Sequence, residues 1–443
     1  MVLQNSHIKY RLSFNISLLL CSFLGNPMLF SQNVDIQKDT LVSFSQDVEK
    51  DGAEHTFDLD LSLLSQRYRN APLDSDQNGT PLLITLPDEL GNLMEFNLWE
   101  SPVISDEMAK MYPDFKTYTI TSIDGTKATG RIFLSRFGLE GMVMRAGRTI
   151  KYEPFDKRKP SGHRSYIIPT ETSLICGIDH ENETIRKLGK RFAPQAMSNG
   201  SIRRTYELAL VATGEFYIKS NLGNNSMPLA QATLVNIVNL LNVRYNVEMA
   251  INFTIFSTPV IYTDTLTDPF MPWVRNTLTT QASNAINTSY NSGGYDLGHV
   301  IHAEATGGAG VAGLNVVCSS GSSKARGWSG GSDINTIAIS IMIHEIGHMF
   351  GGNHTFNGSG KNCTSGNISN NSSIEIGSGS TIMSYAGSCQ SNNNIQSNSD
   401  NYFHSFSIQS FLSYLASTGG TCSTNTATGN TPPTVMANPC NTN

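Results

Sequence analysis

The chain has 443 residues, of which 39% are hydrophobic and 15% charged, so two or three folded domains are possible and the composition argues against overall disorder. Its net charge of −6 argues against nucleic acid as a partner. Only eight of the 30 lysines and arginines lie from Arg203 onward, where Asn, Ser, Thr and Gly are abundant. This shift predicts a domain boundary near residue 200 and suits an extracellular surface.

The first segment, residues 1–31, is predicted to be a secretory signal peptide. Lys9 and Arg11 give it a positive start, an apolar run begins at Ile16, and a small residue, Ser31, precedes the expected cut. The alternative is a short buried helix. Secretion would place the protein where disulfides can form, and no later stretch is long and apolar enough to span a membrane.

Residues 32–195 contain short strand-like runs that are separated by turn residues such as Asp124-Gly125. The clearest runs are Leu82–Leu86, Tyr118–Thr121, Gly130–Leu134 and Thr149–Tyr152. We find no catalytic constellation among them and predict a β-rich N-terminal domain.

From about residue 203 the predicted elements alternate between strands and helices. They are a strand at Tyr206–Ala212, a helix with Pro228 in its first turn, a strand at Met249–Phe256, a helix at Val274–Tyr290 and a strand at Tyr295–His302. This order implies a mostly parallel or mixed sheet with helices against it. His299 and His302 lie three apart on the last strand and face opposite sides, so we expect structural roles for both.

A further helix is predicted after Ser332 or Asp333, either of which can cap it. The isoleucines from Ile334 to Ile346 leave almost no polar face, which is typical of a helix buried in the middle of a domain. Polar groups in such a place need a compensating partner, for example a metal ion.

The polar groups on this helix form the pattern H-E-x-x-H-x-x-G-x-x-H. His344 and His348 are four residues apart and project from one helical face. Gly351 suits the turn that ends the helix and returns His354 as a third nitrogen ligand. Glu345 stands beside the first ligand, where it can hold an attacking water. Three protein ligands with one open position indicate a catalytic zinc rather than a structural one.

A second motif, Thr381-Ile382-Met383-Ser384-Tyr385, follows about thirty residues later, where a Met-turn is expected. Together the two motifs resemble the metzincin clan of zinc endopeptidases. The surrounding chain, from about Arg203 to Ser417, is most similar to a bacterial reprolysin (adamalysin-like) catalytic domain.

The resemblance implies an α+β or α/β catalytic domain over residues 200–418. Its sheet would be twisted, five-stranded and mostly parallel with an antiparallel edge strand, and a buried active-site helix, the Met-turn and a C-terminal helix from about Ser405 would follow. By the same resemblance, Gly313–Val317 is the edge strand, along which a protein or peptide substrate would bind in extended form. Residues 419–443 are predicted to be a linker toward a possible further domain.

The resemblance also assigns roles around the Met-turn. Met383 would form a soft apolar floor beneath the site and would not be a ligand. Tyr385 resembles the tyrosine of astacins and serralysins and is therefore a candidate transition-state stabiliser; the alternative is a tyrosine that only packs beside the turn. The sequence departs from the adamalysin pattern at Thr355, where that subfamily usually has Asp.

Residues 32–195 loosely resemble the prodomain of reprolysin zymogens. A thiolate is a good zinc ligand, and Cys176-Gly177 resembles a cysteine switch that would hold the enzyme inactive. A structural or merely unpaired thiol is the equal alternative. The basic stretch Arg186–Arg191, or Arg203-Arg204, could be where the prodomain is cut; either could also be a solvated linker.

The seven cysteines predict two disulfides in the catalytic region. We predict Cys363–Cys389, between the loop after His354 and the Met-turn, and Cys318–Cys422, between the edge strand and the end of the last helix. Cys440 is left over, which fits a partner beyond the end of this chain.

The hypothesis is therefore a secreted Zn²⁺-dependent endopeptidase made as a zymogen, with His344, His348 and His354 as ligands and Glu345 as general base. Two alternatives belong to other classes. One is a zinc-bearing but inactive adhesion or binding module, against which the intact Glu345 argues. The other is a non-peptidase zinc amidohydrolase. The sequence leaves the substrate and the oligomeric state open.

Overall fold

The fold is that of a computed structural model, which describes residues 42–44, 54–76, 78–168, 174–179, 200–270, 275–291 and 293–431. The predicted signal peptide, the basic stretch Arg186–Arg191 and Cys440 lie outside these residues. Among the helices in the described ranges, none combines the length and the apolar character needed to cross a membrane.

A nine-stranded antiparallel sheet occupies the N-terminal part of the chain, in the order β1-β2-β9-β8-β7-β6-β5-β4-β3. Its strands are β1 (Val42–Phe44), β2 (Glu54–Leu59), β3 (Leu82–Pro87), β4 (Leu93–Glu100), β5 (Lys116–Ser122), β6 (Thr129–Ser135), β7 (Gly138–Arg145), β8 (Arg148–Pro154) and β9 (Gly162–Ile167). All four strands predicted from the sequence are present, as β3, β5, β6 and β8. Inward-facing residues such as Phe96, Ile120 and Val143 form the core of this sheet.

Two short helices accompany this sheet. The first, α1 (Leu61–Tyr68), begins at Asp60, whose carboxylate accepts a hydrogen bond from the Leu63 backbone N–H at 3.0 Å. The second, α2 (Asp106–Met111), begins at Ser105, and its Met108 is buried. These helices were not predicted from the sequence, because they are too short to show a clear helical period.

The second sheet has the strand order β10-β15-β16-β14-β11-β12, with β13 and β17 also paired to β11. Its strands are β10 (Leu174–Asp179), β11 (Ile202–Ala212), β12 (Ile251–Ile255), β13 (Val260–Ile261), β14 (Leu297–Ala303), β15 (Gly308–Gly313), β16 (Gly327–Gly331) and β17 (Thr424–Ala427). Strands β12, β11, β14 and β16 are mutually parallel, and β15 is antiparallel to β16. The predicted mixed α+β fold, with its antiparallel strand, is therefore confirmed.

The helices of this part are α3 (Gly214–Ile218), α4 (Met227–Met249), α5 (Arg275–Ser289), a π-helix (Thr336–Met342), α6 (Ile343–Met349) and α7 (Ser405–Leu415). Three short 3₁₀ turns lie at Ser323–Ala325, Ser391–Asn393 and Thr418–Gly420. The long helix α4 begins at the Ser226 N-cap, has Pro228 in its first turn and ends at Ala250 in a left-handed conformation. These bounds confirm the helices predicted near Pro228, Val274–Tyr290 and Ser405.

Helix α4 is buried around almost its whole circumference, because strands of both sheets pack against it. On the N-terminal side, Phe115, Phe133 and Met142 belong to one continuous hydrophobic core with α4 and the second sheet. The buried guanidinium of Arg131 donates to Asn239 Oδ1 on α4 at 2.8 Å. The two parts of the chain thus share their largest core.

The structure corrects two predictions, the position of the antiparallel strand and the linker at the end of the chain. The antiparallel strand is β15, Gly308–Gly313, and not Gly313–Val317, because Leu314–Val317 form a turn beneath the end of α6. In that turn Val317 is fully buried and Asn315 has a positive φ of 59°. The segment predicted as a linker, residues 419–443, contains β17, which pairs antiparallel with β11.

Candidate metal centre

The helix that carries the H-E-x-x-H pattern is α6, which continues directly from the π-helix. Asp333 is the cap: its Oδ1 accepts from the Thr336 backbone N–H, and its Oδ2 from the Thr336 hydroxyl, both at 2.9 Å. The apolar sequence predicted a buried helix, and Ile337, Ile341 and Ile346 are indeed buried. The helix therefore runs through the interior and presents its polar residues inside the domain.

The three histidines come together as the sequence predicted. His344 and His348 lie one turn apart on α6, which ends at Met349. Gly351 follows with φ of 92°, a left-handed conformation that L side chains rarely adopt, and its N–H donates to the His348 carbonyl at 2.8 Å. A Cβ at this position would also lie 2.4 Å from Asn315 Oδ1. The resulting turn returns His354 to the other two rings.

Each imidazole is oriented by a hydrogen bond from Nδ1 to a backbone carbonyl. The acceptors are Ile382 O for His344 at 2.6 Å, Gly352 O for His348 at 2.6 Å and Asn367 O for His354 at 2.7 Å. A carbonyl oxygen can only accept, so the proton of each neutral ring resides on Nδ1. The lone pair of each ring therefore lies on Nε2.

The three Nε2 atoms face one another at short range. His354 Nε2 lies 3.1 Å from His348 Nε2 and 3.2 Å from His344 Nε2. A tetrahedral zinc ion with Zn–N bonds of about 2.0–2.1 Å holds its ligand nitrogens about 3.3 Å apart. Because the ring protons lie on Nδ1, the three Nε2 lone pairs point at one another. They repel one another unless a cation lies between them. The residues present fit a metal ion with three nitrogen ligands.

Burial favours the neutral rings that a metal requires. All three histidines are fully buried. Loss of solvation lowers the pKa of His344 to about 4, although its hydrogen bond to Ile382 opposes the shift. His344 is therefore neutral near pH 7. Among the described residues, the triad is the one group of three or more His, Cys, Asp or Glu side chains that could hold a metal ion together.

Glu345 is fully buried on α6, next to the first histidine. Room for its side chain comes from strand β15: a Cβ at Gly310 would lie 2.7 Å from Glu345 Oε1. Glycine at this position therefore lets the strand pass directly over the carboxylate. The arrangement brings the one carboxylate of the motif beneath the strand that borders the site.

The Met-turn lies under α6. Met383 is fully buried, and its Sδ would lie 2.5 Å from a Cβ at Gly347, the glycine between the two helical ligands. Tyr385 is also buried, and its ring centroid lies 4.5 Å from that of His354 and 4.4 Å from that of Phe356. The turn thus supports the helix through Met383 and contacts the third histidine through Tyr385.

His299 and His302 do not join the triad. His299 Nε2 lies 2.8 Å from Ser329 Oγ, and His302 Nδ1 lies 3.0 Å from Thr213 Oγ1. Both are buried in the sheet, as their predicted structural role requires. Cys176 lies on β10, whose backbone pairs in parallel with β15 so that Cys176 is opposite Gly310.

Sequence analysis missed, among other groups, the three carbonyl oxygens that orient the rings. Every residue has a carbonyl, so no residue pattern marks these three. Both predicted disulfides of the catalytic region, Cys318–Cys422 and Cys363–Cys389, are present. The second joins the loop after His354 to the segment after the Met-turn.

Residues 202–415 match the family model of metallo-peptidase family M12B, reprolysin-like. No curated protein matches the chain. Among solved structures, the chain is similar to the crystal structure of metalloproteinase-II from Bacteroides fragilis, with 11% sequence identity and a TM-score of 0.43, over 79% of this chain and 94% of that chain.

Proposed function

Because residues 202–415 match the family model of the M12B reprolysin-like metallopeptidases, we propose that this protein is a secreted zinc endopeptidase made as a zymogen. The observation that carries the proposal is the convergence of three Nε2 atoms. His354 Nε2 lies 3.1 Å from His348 Nε2 and 3.2 Å from His344 Nε2, and each ring has its Nδ1 bonded to a carbonyl. Two disulfides and the signal-like N-terminal sequence support secretion.

His344, His348 and His354 would hold the metal ion. When bound, zinc supplies Lewis-acid polarisation of the scissile carbonyl and of the attacking water. The imidazoles themselves only bind and orient, since each has its Nδ1 bonded to a backbone carbonyl. This second layer of hydrogen bonds strengthens the ligands and fixes their direction.

Glu345 is the general base of the proposed reaction. It takes a proton from the water as the water oxygen adds to the peptide carbonyl carbon, and it passes that proton to the amine as the C–N bond breaks. Its buried location beneath Gly310 keeps bulk water from competing for the carboxylate. Tyr385, beside His354, would donate a hydrogen bond to the oxyanion.

A protein or peptide substrate would bind in extended form along β15, which borders the site at Gly310. In the full chain the outer edge of β15 is paired with β10, over the register Leu174–Gly308 to Asp179–Gly313. A substrate strand and β10 would compete for the same backbone hydrogen bonds. The segment before residue 200 would therefore act as an inhibitory prodomain while β10 remains paired.

Cys176 would strengthen this inhibition. The parallel register sets it opposite Gly310, the glycine that covers Glu345. A thiolate is a good ligand for zinc and would take the open position that the attacking water needs. We therefore favour the inhibitory role of Cys176 over that of an unpaired structural thiol.

The proposal is tested with casein digestion by the trypsin-treated protein, with and without a chelator. The wild-type protein should digest casein and lose activity with the chelator. Glu345→Ala should retain one zinc and lose about 10³-fold in turnover, because proton transfer is removed while the ligands remain. Tyr385→Phe should lose about 10²-fold.

Near-normal turnover of Glu345→Ala would end the proposed mechanism. A wild-type protein that holds zinc and cleaves nothing would be a binding module. Cleavage of small N-acyl amides without casein digestion would indicate an amidohydrolase.

Inhibition by Cys176 is tested on the untreated full chain. Cys176→Ser should raise its casein activity at least tenfold over the latent wild type, because a hydroxyl is a poor zinc ligand. Cys440→Ser is the matched control and should remain latent. Iodoacetamide should modify Cys176 slowly until the metal is removed. Equal latency and equal alkylation rates with and without chelator would assign Cys176 a structural role.

A further inference from the structure

Glu375 is a buried carboxylate that the proposed mechanism does not use. It lies between the third histidine and the Met-turn and is 9% exposed, whereas its neighbours Ile374 and Ile376 are 47% and 77% exposed. A buried carboxylate is costly unless hydrogen bonds or charges compensate for its lost hydration. The chain thus turns a charged side chain inward and two isoleucines outward at this point.

Four donors from two separate segments converge on the Glu375 carboxylate. Oε1 accepts from the backbone N–H groups of Ser380 at 2.9 Å and Thr381 at 3.1 Å. Oε2 accepts from the Thr381 hydroxyl at 2.6 Å and from the Thr355 hydroxyl. Within the described ranges no Lys or Arg forms an ion pair with it, so these hydrogen bonds compensate for its burial.

Both segments that Glu375 joins position a histidine of the triad. Thr355 follows His354 directly, and its hydroxyl and carbonyl both bond to Glu375. Thr381 precedes Ile382, whose carbonyl accepts from His344 Nδ1 at 2.6 Å. The two segments also contact each other, since the Thr355 N–H donates to the Met383 carbonyl at 3.1 Å.

We propose that Glu375 is a positioning residue of the metal centre. It fixes the Thr355 segment and the Met-turn at one separation, so that the His354 and His344 rings meet the ion in the right geometry. This inference rests on the proposed metallopeptidase function. Glu375 itself binds neither substrate nor metal; it acts through Thr355 and Thr381.

The test compares zinc affinity across variants of the full chain, measured by competition with a chromogenic chelator. Glu375→Ala should weaken zinc binding about 10–100-fold, because loss of groups that orient metal ligands typically has this effect. Glu375→Gln should recover most of the affinity, since its Oε1 can still accept from the two N–H groups and its amide can donate to the two hydroxyls. Thr355→Val, which removes one hydrogen bond, should lose less than Glu375→Ala.

Asp268→Ala is the matched control. Asp268 is 5% exposed and accepts from the backbone N–H groups of Gly214 at 3.0 Å and Phe270 at 3.1 Å, neither of which adjoins a triad histidine. This variant should lower the unfolding temperature while zinc affinity stays within about twofold of wild type. The visible absorption spectrum of the Co²⁺-loaded protein, which reports ligand geometry, should change in Glu375→Ala and not in Asp268→Ala.

Wild-type affinity and an unchanged Co²⁺ spectrum in Glu375→Ala would overturn the inference while leaving the proposed function intact. Equal losses of affinity in Glu375→Ala and Asp268→Ala would also overturn it, since the effect would then be general destabilisation. If Glu375→Ala does not fold, Thr355→Val decides: unchanged affinity and spectrum in that variant count against the inference. A wild-type chain that binds no zinc would overturn the proposed function and this inference together.

Discussion

Two sets of buried histidines lie after residue 200, and they differ in what their ring nitrogens face. His299 and His302, on β14, contact the hydroxyls of Ser329 and Thr213. The triad rings contact carbonyl oxygens through Nδ1 and one another through Nε2. All five residues are buried, and loss of solvation lowers the pKa of His299 and of His302 to about 3 and that of His344 to about 4.

The difference between the sets is therefore in the partner, not in burial. A hydroxyl can donate or accept, so it satisfies a neutral histidine in either tautomer. A carbonyl only accepts, so it forces the proton onto the nitrogen that faces it and leaves the other nitrogen with a lone pair. A metal centre can thus be distinguished from structural histidines by fixed tautomers that point their lone pairs at one place.

The largest effect that separates the two sets should be the loss of metal. His344→Ala or His348→Ala should reduce bound zinc from one per chain to near zero after dialysis. His299→Ala and His302→Ala should keep the zinc and lower the free energy of unfolding by about 2–4 kcal/mol, because each leaves a cavity and an unpaired hydroxyl. Metal analysis and thermal unfolding check both; loss of zinc from His299→Ala would break the comparison.

A smaller effect should come from two glycines, one packed against Glu345 beside the triad and one packed against His299. A Cβ at Gly310 would lie 2.6 Å from Glu345 Cγ, and a Cβ at Gly327 would lie 2.6 Å from His299 Nδ1. Gly310→Ala should displace the carboxylate and reduce turnover about tenfold or more with zinc retained. Gly327→Ala should displace the ring and destabilise the fold by about 1–3 kcal/mol with turnover unchanged.

Steady-state turnover and chemical denaturation of the two alanine variants measure this contrast. If Gly327→Ala reduced turnover as much as Gly310→Ala at a temperature where both are folded, the β14 histidines would be coupled to the site. That outcome would remove the distinction between the two sets.

The metal ligands were predictable from the sequence because their spacing follows from helical geometry. Two residues four apart on a helix lie on the same face, as His344 and His348 do, and Gly351 marks the turn that returns His354. Helix α4 was predictable for a similar reason, since Pro228 suits its first turn and Leu234, Val238, Leu241 and Tyr245 keep helical spacing. In both cases a local rule determines the structure.

The strand next to the site was predicted wrongly because close packing, not β propensity, selected its residues. Glycines at 308 and 310 let β15 approach the π-helix and α6, since a Cβ at Gly308 would lie 2.7 Å from Ile341 and a Cβ at Gly310 would lie 2.6 Å from Glu345. The apolar run Leu314–Val317 has the better strand composition, yet it is a turn in which Val316 and Val317 are buried. Local composition could not reveal a contact made by a helix thirty residues later.

Glu375 and Arg131 were missed for a related reason. Each has the composition of a solvated surface charge in its local sequence, and each is buried against partners from distant segments. Only the tertiary fold supplies the donors and acceptors that compensate for the lost hydration of such a buried charge. Long-range polar contacts of this kind remain outside the reach of a single sequence.

Cutting the backbone between residues 179 and 200 would leave the contacts between the two sides of the chain in place. Phe115, Phe133 and Met142 would stay packed with α4, the Arg131–Asn239 hydrogen bond would remain, and the Arg203–Asp74 ion pair at 2.8 Å would still join the two sides. The products would behave as complementing fragments of a nicked protein, and their dissociation would be a separate, slower event governed by the buried interface.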